Sequence, residues 1–298
     1  YNMDNSDVSR EDYTNITIAT IISLSLAIIL YLSLSNILQT VIEVSNSFVV
    51  ESSLILLYRL ICLCVGIYAI VSMFTCGPGN MRVVTRAENK QVVLNPVGVK
   101  KFVTFSSWTL LMYVGYFLTA SIGQIMEMYN YSNSLILGIQ TMMFVTGISM
   151  AFLTATIVRY IILPDEVKIG RDHGHMFLFH EQIMHNFAAI FLAFELLMIE
   201  PDLHPQLAIF GLLIGIVYLI FAYWLAYYSG GYFVYSFLHP KPKTAPAFVI
   251  GIASIIALFY LGLWSITLLN QYNSWLSWLV IIVWLSLIVQ FRPNITDN

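Results

Sequence analysis

Long apolar stretches dominate the chain, near positions 14–42, 53–75, 103–128, 134–160, 178–199, 206–228, 247–269 and 274–291, with polar segments between them. A helix needs roughly 20 apolar residues to cross a bilayer, whereas a barrel strand needs about half as many and alternates polar with apolar positions. These runs are continuous and long. They predict an all-α, polytopic transmembrane helix bundle of about eight spans. Residues 1–298 read as a single integral membrane domain, without an internal repeat or a soluble module.

Composition and charge sharpen this picture. The chain is 59% hydrophobic and 10% charged, with a mean hydropathy of +0.80, well outside the range of soluble domains. Its first apolar stretch follows an acidic segment (Asp4, Asp7, Glu11, Asp12) rather than a basic one and is too long for a signal peptide. Of the 13 Lys and Arg residues, only Arg59 falls well inside a span, with Arg159 at the edge of one. All the others fall on the side that holds both termini in an eight-span arrangement. The positive-inside rule makes that side cytoplasmic, or the matrix side of a mitochondrial inner membrane. The glycosylation motifs at Asn15 and Asn294 would then go unused, and Asn130 lies close to the membrane on the other side. Cys62, Cys64 and Cys76 form no disulfide pattern.

The connections on the basic side are the longer ones: 76–102, 161–177 and 229–246. Loops on a rigid scaffold are where function concentrates. The first is rich in turn residues (Cys76-Gly77-Pro78-Gly79-Asn80), and the third holds Ser229-Gly230-Gly231, which permits a sharp turn. The second carries two of four clustered histidines, His173, His175, His180 and His185. On an α-helix, His180 and His185 diverge by roughly 140° and share no face. No metal site and no cofactor are expected, and nothing resembles a nucleic-acid-binding surface.

His185 stands apart, about two turns into the fifth span. An ionisable residue at that depth is a functional candidate. Glu181, four residues earlier, shares its face and can orient the imidazole. An interhelical hydrogen bond is the structural alternative for His185. Thr104 stands at a similar depth at the start of the third span, with Lys100 and Lys101 one turn before it. Those lysines suit a carboxylate or phosphate at the surface, or simple interfacial anchoring. Glu195, about 15 Å further along the helix than His185, needs a partner of its own, for which Arg59 is the obvious candidate. Trp224 and Tyr235 belong to an aromatic cluster where the sixth span leaves the membrane.

The stretch from Lys101 to about Trp264 resembles the androgen-induced protein family of membrane hydrolases and related bacterial membrane proteins. Lys101-Phe102-Val103-Thr104-Phe105 resembles the family's nucleophile segment. Met184-His185 resembles its histidine segment, with Glu195 ten residues on. Tyr218, Trp224 and the turn Gly231–Leu238 fall at matching intervals, whereas Ala189 and Ile190 stand where the family has a proline shortly after the histidine, and Ser236 stands where its turn has one. The resemblance implies a threonine hydrolase of fatty acid esters of hydroxy fatty acids, with Thr104 as nucleophile and His185 as base. Lys100, Lys101, Trp224 and Tyr235 would then bind substrate. It also implies a six-span core near 53–269, with 14–42 and 274–291 as additions. Such additions equally suit a second reading, a non-catalytic accessory subunit of a multiprotein membrane complex, for example in an energy-converting membrane. Membrane lipids are partners under both readings.

Overall fold

The computed structural model describes residues 12–292. Asp4, Asp7, Arg10, Glu11 and Asn294 lie outside the described residues. Within them the chain is a multi-pass membrane helix bundle. Seven helical segments are long and apolar enough to cross a bilayer.

The first apolar stretch is not one helix. It forms α1 (Thr14–Leu34), breaks at Ser35 and Asn36, and continues as α2 (Ile37–Ser45). Only α1 has spanning length. The chain then crosses as α3 (Ser53–Thr75), α4 (Phe105–Met128) and α5 (Ser134–Ile157). α5 continues through a π turn (Val158–Ile162) into the short α6 (Leu163–Lys168). The next span is composite: α7 (Phe179–Gln182), a π turn (Ile183–Phe187) and α8 (Ala188–Ile199). α9 (Ala208–Trp224) and α10 (Ala245–Tyr272) follow. α11 (Ser274–Ile288) has 15 residues. That is about 22 Å of helix against a hydrocarbon core of about 30 Å, and the non-helical residues after it carry the chain on to Asn186, whose side chain accepts from Gln290 N.

The helices meet at small residues and internal polar pairs, because apolar side chains gain little by leaving lipid for protein. Gly211 and Gly215 of α9 face Ala257 and Ala253 of α10. A Cβ at Gly211 would stand 3.0 Å from the Ala257 backbone nitrogen, and one at Gly215 would stand 3.0 Å from the Ala253 Cα. At the centre, Arg59 Nε donates to Glu195 Oε1 at 2.7 Å, and both side chains are essentially inaccessible. Tyr116 donates to the same carboxylate oxygen at 2.6 Å, and Arg59 Nη1 donates to Gln124 Oε1 at 3.0 Å. The pair therefore ties α3, α4 and α8 together.

The 76–102 connection is more ordered than its turn-rich sequence suggests. It folds into a hairpin, β1 (Met81–Thr85) and β2 (Gln91–Leu94), with Val83 opposite Val92. The two-residue β3 (Tyr232–Phe233) from the third loop pairs with the other edge of β1. Gly231, at φ 71°, makes the turn into β3, and its carbonyl accepts from Arg86 N. Both described chain ends return to this side. Tyr13 N donates to the Lys241 carbonyl, and Gln290 N donates to Asn186 Oδ1.

Candidate active site

A cavity of about 250 Å³ opens on the side that carries the small sheet. Lys101, Thr104, Glu181, His185 and Tyr235 all line it, so the fold brings together five of the candidate site residues read from sequence.

Thr104 is the N-cap of α4, with extended backbone (φ −83°, ψ 150°). Its hydroxyl accepts from Ser107 N at 3.2 Å and lies 2.9 Å from Ser107 Oγ. Ser107 Oγ spends its proton on the Thr104 carbonyl at 2.8 Å, so the Thr104 hydroxyl is the donor in the contact between the two side chains. Among the described residues, no hydrogen bond joins Thr104 to His185.

His185 sits within the π turn, a helical irregularity that recurs at functional sites. Its Nε2 lies 3.3 Å from Glu181 Oε2, while its buried Nδ1 has no hydrogen-bond partner. The carboxylate favours a proton on Nε2, which leaves the Nδ1 lone pair as the free base. His180 and His185 both line the cavity although an α-helix would set them apart, and the π turn begins between them. The i→i+5 winding of such a turn advances less angle per residue than an α-helix. His180 Nε2 stands 3.6 Å from the other Glu181 oxygen.

Lys101 is not a free cation. Its buried ammonium donates to the carbonyls of Met73 and Gly77, each at 2.5 Å, which clasps the C-terminal end of α3 to the start of α4. A cation at that end also suits the helix dipole. Lys100 is exposed and does not line the cavity, and Trp224 is 52% exposed on the outer surface of the bundle. Arg59 and Glu195 form their pair away from the cavity wall. Tyr235 does line it. Its hydroxyl accepts from Phe105 N at 3.2 Å, and burial pushes its phenol up to about 12.

Sequence reasoning missed several wall residues. Cys76 Sγ lies 3.7 Å from His180 Nδ1 and 3.8 Å from Lys101 Nζ. Arg82 pairs with Asp165 and, at 3.5 Å, with Glu166, while Arg171 pairs with Glu166 at 3.0 Å and also bonds Asn80. These ion pairs stitch the hairpin to the α6 region. The one available signal was the opposite charge of Pro164-Asp165-Glu166 and the basic 76–102 loop. His175 also lines the cavity, held below its usual 6.5 by burial and then by the Arg171 charge. Among the described residues no His, Cys, Asp and Glu group has the geometry to hold a metal ion.

No family model matches the chain, and no curated protein or solved structure matches it at a significant level.

Proposed function

We propose that this protein is a membrane lipid-ester hydrolase that uses Thr104 as nucleophile and His185 as general base. One observation carries the reading. Thr104, His185 and Glu181 line a single cavity at the interfacial end of the spans, and His185 Nδ1 is buried there without a partner. Buried polar atoms in folded proteins are nearly always hydrogen-bonded, and an exception on a cavity wall suits a group reserved for substrate or for a nucleophile's proton.

In this mechanism the Thr104 hydroxyl turns from Ser107 toward His185. His185 Nδ1 takes its proton as Oγ1 adds to the ester carbonyl. Collapse of the tetrahedral intermediate breaks the bond to the leaving alkoxide, which takes that proton back from His185. Water, deprotonated by the same nitrogen, then releases the fatty acid and restores Thr104. Glu181 holds the ring and stabilises the imidazolium. The substrate is a fatty acid ester of a hydroxy fatty acid, whose free carboxylate suits Lys100 at the surface. The positive-inside rule puts the site and both chain ends on the cytoplasmic or matrix side.

The competing reading is an accessory subunit of a membrane assembly. Its support is α1, which buries only Thr17, Ile21 and Ile28 and turns the rest of its apolar surface outward. Purified protein in vesicles separates the two. Release of fatty acid by the wild type, lost in Thr104→Ala and His185→Gln, supports the hydrolase. Turnover that survives Thr104→Ala, or no turnover at all, removes it.

A further inference from the structure

The cavity does not end at Tyr235. An apolar recess of about 50 Å³ adjoins it and shares Ser106, Ile162, Tyr235 and Phe237 with its wall. The Tyr235 and Phe237 rings stack at the junction, 5.1 Å apart and within 4° of parallel. The recess is otherwise walled chiefly by the site-side end of α5 (Leu153, Ile157), by Val158 of the π turn that follows and by α10 (Ile252, Ile255). Ile255 is 39% exposed on the outer face of a spanning helix. The recess therefore opens sideways toward the bilayer, while the cavity opens toward the loops. The two hydroxyls among its deeper wall residues are already engaged, Thr154 with Thr109 and Tyr218 with the Val103 carbonyl, each at 3.0 Å. Nothing deep in the recess calls for a polar ligand.

We propose that this recess is a lateral portal that seats the acyl chain of a bilayer lipid, with the lipid's polar group in the adjoining cavity. Seating of the chain needs no catalysis, whereas the placing of a reactive carbonyl beside Thr104 rests on the hydrolase reading. A volume of 50 Å³ holds only a few waters, at about 10–15 Å³ each by the same measure, so only the carbons nearest the carbonyl are enclosed. The remainder of the chain stays among its neighbours in the bilayer. The preferred substrate class follows. It comprises straight-chain acyl esters, read at the first few carbons, with branching there excluded and total chain length little sensed.

The test is photolabelling of the full chain in phosphatidylcholine vesicles with a fatty acid that carries a diazirine close to its carboxyl end. Labels are expected to concentrate in 153–162 and 252–255, and Ile255→Trp is expected to abolish them while labelling of Leu26 and Ile29 on α1 persists. If Ile255→Trp does not fold, Ile157→Trp fills the same recess from the other wall. An unlabelled recess beside labelled Leu26 and Ile29 overturns the portal, as a recess covered by protein would also give. Recess labelling in a protein without esterase activity removes the hydrolase reading and leaves the portal. Esterase activity with an unlabelled recess does the reverse.

Discussion

His185 Nε2 stands 3.3 Å from Glu181 Oε2 across the junction of an α turn and a π turn, which directs the unpartnered Nδ1 of the same ring to a different neighbour. If Glu181 only orients the ring, Glu181→Gln will slow ester turnover less than His185→Gln. Loss of a positioned general base costs roughly 10²–10⁴-fold in rate. The Glu181→Gln defect is expected in kcat, with KM unchanged, in a steady-state assay on vesicles. Equal losses for both variants would make Glu181 a proton carrier itself.

Lys101 offers a sharper contrast. Its ammonium is engaged by two carbonyls, so Lys101→Met should lower stability rather than substrate affinity. A hydrogen bond to a charged group contributes about 1.5–3 kcal/mol. Thermal unfolding in detergent measures that loss. A raised KM with unchanged stability would return Lys101 to substrate binding.

Arg59 and Glu195 are worth testing together. Truncation of one member of a buried ion pair costs about 3–5 kcal/mol, because the other charge stays uncompensated. Arg59→Met and Glu195→Leu should each destabilise strongly, and the double variant should recover much of the loss. A double variant as unstable as the sum of the singles would show that Tyr116 and Gln124, not the pair, set the cost.

Contact between α9 and α10 depends on an absent side chain. Gly211→Leu drives carbon into the Ala257 backbone, which cannot yield as a side-chain end can. Overpacking of this kind costs about 1–3 kcal/mol or more. Gly251→Leu is the control, because a Cβ there meets nothing within 4 Å. The comparison is read as the difference in melting temperature between the two variants.

Acid should loosen the loop cluster around His175. Burial and Arg171 hold its folded pKa below the usual 6.5, against weaker opposing pulls from Glu166 and Asp172. The unfolded chain then binds the proton first. The contribution of neutral His175 is complete above about pH 6.5 and is lost as pH falls toward the lowered folded value. A melting temperature followed from pH 7.5 to pH 5 should decline, and His175→Asn should flatten the decline.

Much of the architecture was legible in one dimension. A bilayer imposes a length on every crossing segment and excludes unpaired backbone from its core, so continuous apolar runs specify membrane helices without reference to their neighbours. The need of Glu195 for a basic partner was legible too, because Arg59 is the one cation far from the ends of its span. Other features depended on the third dimension. The 81–94 hairpin takes its third strand from Tyr232 and Phe233, far along the chain. At the site, composition could place Thr104, His185 and Glu181 at one membrane depth but not on one wall. That took the approach of α4 to the 183–187 turn. The same approach spent Lys101 on the end of α3 and left Trp224 facing outward. Charge and hydropathy are properties of single positions, whereas the availability of a side chain for chemistry depends on what the folded chain puts beside it.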